Sequence, residues 1–209
     1  MVEIFLIRHG ESMGNRENLF RGRHDFPLNS NGIAQAHCLR GKLQNIVFDT
    51  ILSSPLKRAS RTAEIISGGR TKIIIEEEFT NIALGEWENK PQEYIKENFP
   101  HLWYLWKTEP EKLSIPGMET LNDVQKRSFN ALQSLICKFE QGRVAIVTHR
   151  TVLKPLIAGV LNIPEPYFWK IHVDIAAYSI VEYRKERGFT ITLLNETDHL
   201  EKFIREDIA

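Results

Sequence analysis

The run Val2-Glu3-Ile4-Phe5-Leu6-Ile7 passes directly into Arg8-His9-Gly10, and Arg143-Val144-Ala145-Ile146-Val147-Thr148 passes directly into His149-Arg150. Apolar runs this short read as buried strands. Two strands that each end in a histidine beside an arginine constrain the fold strongly, because in parallel α/β sheets the active site lies just past the strand ends. His9 and His149 are therefore expected at the same edge of one sheet.

The rest of the chain alternates as such a sheet requires. Ile33, Ala36, Leu39 and Leu43 recur at helical spacing from about Gly32 to Gln44, and Phe48-Asp49-Thr50-Ile51-Leu52 reads as the next strand. Ser54 before Pro55 predicts an N-cap with proline in the first turn, opening a helix that carries Arg58 and runs to about Ser67. Its free N–H groups and positive dipole end would face an anion. Thr71 to Ile75 is a third strand candidate. Residues 76–118 show no clean period; Trp87, Trp103, Tyr104, Trp106 and several prolines predict a lid-like insertion with one or two short helices. Thr120-x-x-Asp123 resembles a capping box for a helix to about Glu140, with Leu121, Val124, Ala131, Leu135 and Phe139 on its buried side. A strand at 143–148, a helix at 151–161 and strands near 175–183 and 189–194 complete one α/β domain over residues 1–209.

Histidines and arginines converging at a sheet edge suit phosphoryl chemistry. A phosphomonoester is dianionic and needs fixed positive charge plus an acceptor for the phosphoryl group. Arg8, Arg58 and Arg150 are the candidates for the charge, since a guanidinium stays protonated and grips two oxygens at once. A neutral imidazole on His9 is a competent nucleophile near neutral pH. An isolated histidine at a strand end is more often a structural hydrogen-bonding residue. The flanking Arg8 and Gly10, together with Arg58 and His149, turn the reading toward catalysis.

The formal net charge of +0 and the lack of a long basic run argue against nucleic acid or an anionic membrane as partner, because those interactions rest on accumulated positive charge. A small phosphomonoester fits better. Cys38 and Cys137 are the two cysteines and read as reduced thiols; His24, His37, His101 and His172 share no metal-ligand spacing, so no metal site is expected. The six-residue apolar run at the N-terminus has no basic leader and merges into the His9 string, so the expected location is cytoplasmic. A homodimer is left open.

Several motifs, in order, resemble those of the histidine phosphatase superfamily, the phosphoglycerate mutase-like family. They are Arg8-His9-Gly10-Glu11-Ser12-Met13-Gly14-Asn15, Asp25-Phe26-Pro27-Leu28 with Gly32, Ser54-Pro55-Leu56-Lys57-Arg58-Ala59, Gly85-Glu86-Trp87-Glu88, Pro116-Gly117-Met118-Glu119-Thr120-Leu121 and Thr148-His149. The resemblance implies a three-layer α/β/α sandwich with a mostly parallel central sheet. It makes His9 the phosphoryl acceptor and Arg58 the second phosphate-binding arginine, with no cofactor and no metal. Glu11, Ser12 and Asn15 stand as substrate-side candidates, with loop ordering as the alternative for Glu11 and Asn15.

One position breaks the pattern. Where the family commonly places a glutamate as general acid, four residues before Gly85, this chain has Asn81, and an amide cannot donate a proton in that sense. Three readings stand open: Glu76, Glu77 or Glu78 swings in, another group or a water protonates the leaving oxygen, or the protein chiefly binds. The stretch between Ala63 and Pro116 looks short beside the glycolytic mutases, which favours hydrolysis over cofactor-dependent mutase chemistry. The tail Leu194-Asn195-Glu196-Thr197-Asp198-His199-Leu200 resembles metal-independent phosphoserine phosphatases, making phosphoserine the leading substrate and His199 a candidate contact to its non-phosphate part.

Overall fold

The structure, a computed structural model, describes residues 1–201; residues 202–209 of the expected domain lie outside the described residues. In chain order the elements are β1 (Val2–Arg8), α1 (Met13–Arg16), β2 (Leu19–Phe20), α2 (Ser30–Lys42), β3 (Thr50–Ser53), α3 (Lys57–Ser67), β4 (Ile73–Ile75) and β5 (Lys90–Pro91). There follow α4 (Gln92–Asn98), α5 (Pro100–Thr108), α6 (Leu121–Ile136), β6 (Gly142–Thr148), α7 (Arg150–Leu161), β7 (Tyr178–Arg184) and β8 (Gly188–Glu196).

Six strands form one sheet in the order β4-β3-β6-β1-β7-β8. The pairs β3–β4, β3–β6 and β1–β6 are parallel, whereas β1–β7 and β7–β8 are antiparallel. Alternate residues of β1 feed two cores, as the period of a strand dictates. Ile4 and Leu6 pack with Leu132 of α6 and Leu153 of α7 on one face, while Phe5 and Ile7 pack with Leu39 of α2 and Ala63 of α3 on the other. Helices thus cover both faces in three layers, and each fully buried Ile, Leu or Phe contributes about 1.5–3 kcal/mol to holding them.

The parallel register sets Arg8 opposite Thr148. The His9 amide donates to the Thr148 carbonyl at 3.0 Å and the Ser54 amide to the Val147 carbonyl at 3.0 Å. Three loops therefore leave neighbouring strands at one edge, bringing His9, Ser54 and His149 together.

Element ends differ from expectation where side chains find other partners. Helix α3 starts at Lys57 rather than at Ser54, because Ser54 turns its hydroxyl to His149 instead of capping. The Thr120–Asp123 capping box is present, but α6 stops at Ile136, before Glu140. In α2 the cap is Asn29, whose side chain accepts from the Gly32 amide at 2.8 Å, so the helix begins at Ser30, before Gly32. Segment 76–118 contains α4 and α5, as expected, and also β5, which pairs with β2 to tie it to the loop after His9. Trp87, Ile95 and Trp106 bury it against the main core. No helix among the described residues is long and apolar enough to cross a membrane.

Candidate active site

The loop after β1 turns tightly because Gly10 lies against Gly32: a Cβ on Gly10 would stand 2.5 Å from the Gly32 carbonyl oxygen. That approach fixes the His9 ring, whose Nδ1–H donates to the Gly10 carbonyl at 2.7 Å. Nε2 is thereby left as the ring's lone-pair nitrogen. Burial first, then the charges of Arg58 and Arg8, holds the His9 pKa well below the ordinary imidazole value. The ring is neutral at pH 7.

The His149 ring lies 5.0 Å from that of His9, centroid to centroid, at 60°. Its Nε2 is 2.7 Å from Ser54 Oγ, which also accepts the Leu56 amide at 3.3 Å. The Ser54 hydroxyl thus bridges the Leu56 amide and the His149 ring and fixes the ring's orientation. Burial is again the leading cause that pushes this imidazole down, followed by Arg58 and His9.

Both histidines line a cleft of about 490 Å³, including its open mouth, together with Arg8, Arg21, Arg150, Asn81, Gln92, Thr151 and an apolar wall. Arg8 is anchored by donation to the Val173 carbonyl at 2.8 Å, and Arg21 by donation to the Gly14 carbonyl at 3.1 Å. The Arg150 guanidinium lies 5.9 Å over the Trp169 ring. Arg21 escaped the sequence reading. It sits in a loop without periodicity, and the one available signal was the Arg21-Gly22-Arg23 triplet just before the Asp25-Phe26-Pro27-Leu28 string.

Arg58 is fully buried beside the site but does not line the cleft. Its terminal nitrogens donate to the His24 carbonyl at 2.9 Å and the Gly22 carbonyl at 3.0 Å. Burial and Arg21 bring its pKa down to about 9, so it stays charged at pH 7. The guanidinium thus clamps the loop that carries Arg21 and adds to the field on both histidines.

Four other expected contacts lie off the cleft. Both Glu11 carboxylate oxygens are taken, one by Asn29 at 2.6 Å and one by Asn31 at 2.7 Å, so Glu11 orders the loop. Asn15 Oδ1 accepts from the Ser12 amide at 3.0 Å and the Ser12 hydroxyl at 2.7 Å, closing the same turn. His199 Nε2 lies 3.0 Å from the Ala176 carbonyl, whose own amide donates to the His9 carbonyl, so it braces the back of the site.

Asn81 does face the cleft. Its Nδ2 donates to the Gly22 carbonyl at 2.7 Å, and its Oδ1 accepts the Thr151 hydroxyl. The expectation that Glu76, Glu77 or Glu78 reaches in fails on geometry. Phe79 is buried and its carbonyl accepts Thr148 Oγ1 at 2.6 Å, while Glu76 and Glu78 line a separate groove with Glu119 and Lys126. Arg127 straps this segment down through the Thr80 carbonyl at 2.8 Å and Glu119 at 2.6 Å. Among the described residues, no carboxylate lines the cleft that holds the two histidines.

The sequence profile of the histidine phosphatase superfamily (branch 1) matches residues 4–197. The chain belongs to that superfamily. It is 32% identical over 207 residues to phosphoserine phosphatase 1 of Hydrogenobacter thermophilus, covering 99% of this chain and 98% of the relative. Among solved structures, Bacillus stearothermophilus YhfR superposes with a TM-score of 0.90 at 31% identity, covering 95% of this chain and 99% of its own. A phosphoserine phosphatase mutant from Entamoeba histolytica, solved in complex with phosphoserine, gives 0.84 at 27% identity, covering 96% of this chain and 100% of its own. This histidine phosphatase is accordingly a phosphoric monoester hydrolase.

Proposed function

We propose that the protein hydrolyses a small phosphomonoester through a phosphohistidine at His9. The observation that carries the reading is the bond from His9 Nδ1–H to the Gly10 carbonyl, which aims a neutral Nε2 lone pair into a cleft lined by arginines. Nε2 attacks phosphorus, the ester P–O bond breaks, and its electron pair leaves with the alcohol oxygen. Arg8 and Arg21 hold the equatorial oxygens, with the His149 ring beside them in the same cleft. Water then attacks phosphorus, the N–P bond breaks, and dihydrogen phosphate departs from a neutral His9.

Hydrolysis is favoured over mutase chemistry by the phosphatase relative. The names of two relatives make phosphoserine the first substrate to assay. A second reading, a phosphate-ligand-binding protein with little turnover, draws on the missing carboxylate at Asn81. Rapid quenching of the protein with a phosphorylated substrate separates the two. An acid-labile, base-stable phosphoryl adduct that forms and decays at the turnover rate, and is lost in His9→Ala, is expected. Wild-type turnover by His9→Ala would sink the mechanism; ligand binding with no adduct would favour the binding protein.

A further inference from the structure

Two polar side chains lie in the cleft beside the groups assigned to phosphoryl transfer. Asn81 and Thr151 both line the cavity that holds His9 and His149. Asn81 Nδ2 donates to the Gly22 carbonyl at 2.7 Å, and Asn81 Oδ1 is bonded to Thr151 Oγ1. A carbonyl only accepts, so the amide has one orientation, nitrogen toward Gly22 and oxygen toward Thr151. An amide oxygen has no hydrogen to give, so the Thr151 hydroxyl is the donor of the second bond. The main chain is pinned as well: the Asn81 carbonyl accepts Arg23 Nε at 3.1 Å, and the Thr80 carbonyl accepts Arg127 at 2.8 Å.

This bonding leaves a defined pair of groups. Asn81 keeps a second Nδ2 hydrogen, and Thr151 keeps its oxygen lone pairs. A donor and an acceptor held side by side suit an oxygen that carries charge in one step and hydrogens in the next. In in-line transfer the departing ester oxygen and, later, the attacking water take the same place, opposite the nucleophilic nitrogen. Resting on the phosphohistidine reading above, we infer that Asn81 and Thr151 serve that single oxygen position. Asn81 Nδ2–H donates to the ester oxygen as it departs, and Thr151 Oγ1 accepts a hydrogen of the water that attacks. Thr151 is at the same time the positioning residue for the Asn81 amide. Asn81 is buried, and a donor already fixed in place reorganises little as charge develops on the oxygen.

Both steps balance. In the first, His9 Nε2 bonds to phosphorus and the P–O electron pair stays with the ester oxygen, which takes its proton from water; the amide lends a hydrogen bond and keeps its hydrogen. In the second, the water oxygen bonds to phosphorus, the N–P pair returns to Nε2, and both water hydrogens leave in dihydrogen phosphate.

The test follows formation and decay of the His9 adduct with substituted phenyl phosphates in wild type, Asn81→Ala, Thr151→Val and Thr151→Ser. Asn81→Ala is expected to slow formation by about 10- to 10²-fold for the most basic leaving phenol and far less for p-nitrophenol, steepening the dependence on leaving-group basicity. Thr151→Val is expected to slow adduct decay and to steepen the same dependence, with Thr151→Ser restoring both. Formation slowed by one common factor for every ester, with decay unchanged, is what a purely structural role gives and would overturn the inference while leaving the phosphohistidine intact. Absence of a His9 adduct in wild type would remove both. The slope is taken within one protein, so a poorly folded fraction of Asn81→Ala scales all its rates alike, and the two Thr151 variants provide a second measurement.

Discussion

Acid sensitivity follows directly from the two buried rings. His9 and His149 are both held neutral, chiefly by burial and next by Arg58. In the unfolded chain an imidazole takes up a proton near pH 6.5, roughly, whereas the folded rings refuse it until well below that. Over that window the unfolded state binds more protons, so stability falls as pH falls. With both rings held neutral in the fold, going from about pH 7 to about pH 5.5 costs on the order of 1 kcal/mol per ring, or about 2–3 kcal/mol for the pair. Urea unfolding followed by tryptophan fluorescence measures this, in buffers free of phosphate, because a bound anion would stabilise the fold by mass action. The reference is the His9→Gln/His149→Gln double variant, whose amides cannot titrate. Wild type is expected to lose about 2–3 kcal/mol more than this variant over the same pH interval. Equal losses in the two proteins would refute the assignment of neutral, buried rings.

Three further perturbations test the scaffold and the chemistry. Gly10→Ala forces a methyl against the Gly32 carbonyl and is expected to cost about 1–3 kcal/mol of stability, read by denaturation, along with a loss of kcat as the His9 ring shifts. Ser54→Ala removes the hydroxyl that fixes the His149 ring; stability drops by about 1 kcal/mol and kcat falls more than KM rises, in steady-state kinetics. Chelation is expected to leave phosphate release unchanged, since guanidiniums carry the charge stabilisation; strict magnesium dependence would contradict this.

The parts of the site that were legible in the sequence are those tied to strand ends. His9 and His149 follow apolar runs, and the parallel register of β1 on β6 turns two separated motifs into neighbours. Charge at Arg8 and Arg150 came with them. The loop between β1 and α2 was harder to read, because its bonds are between polar side chains and backbone that leave no period. Glu11, Ser12 and Asn15 sit in the most recognisable string of the chain yet hold that loop rather than face the cleft. Arg21 lies in the same loop and does face it. Ser54 before Pro55 had the signature of a helix cap, and a tertiary partner 95 residues away took its hydroxyl instead. Arg58 is legible as a site arginine from its string, whereas the Gly22 and His24 carbonyls that it also holds belong to a turn no local pattern announces.

The proposed chemistry turns on one atom, His9 Nε2, taking the phosphoryl group. Phosphorus NMR of the base-stabilised adduct, trapped within the first turnover and digested to the His9 peptide, distinguishes the two ring nitrogens. Phosphorus is expected on Nε2 alone, because Nδ1 is committed to the Gly10 carbonyl at 2.7 Å. Phosphorus on Nδ1, or on any residue other than His9, would contradict it.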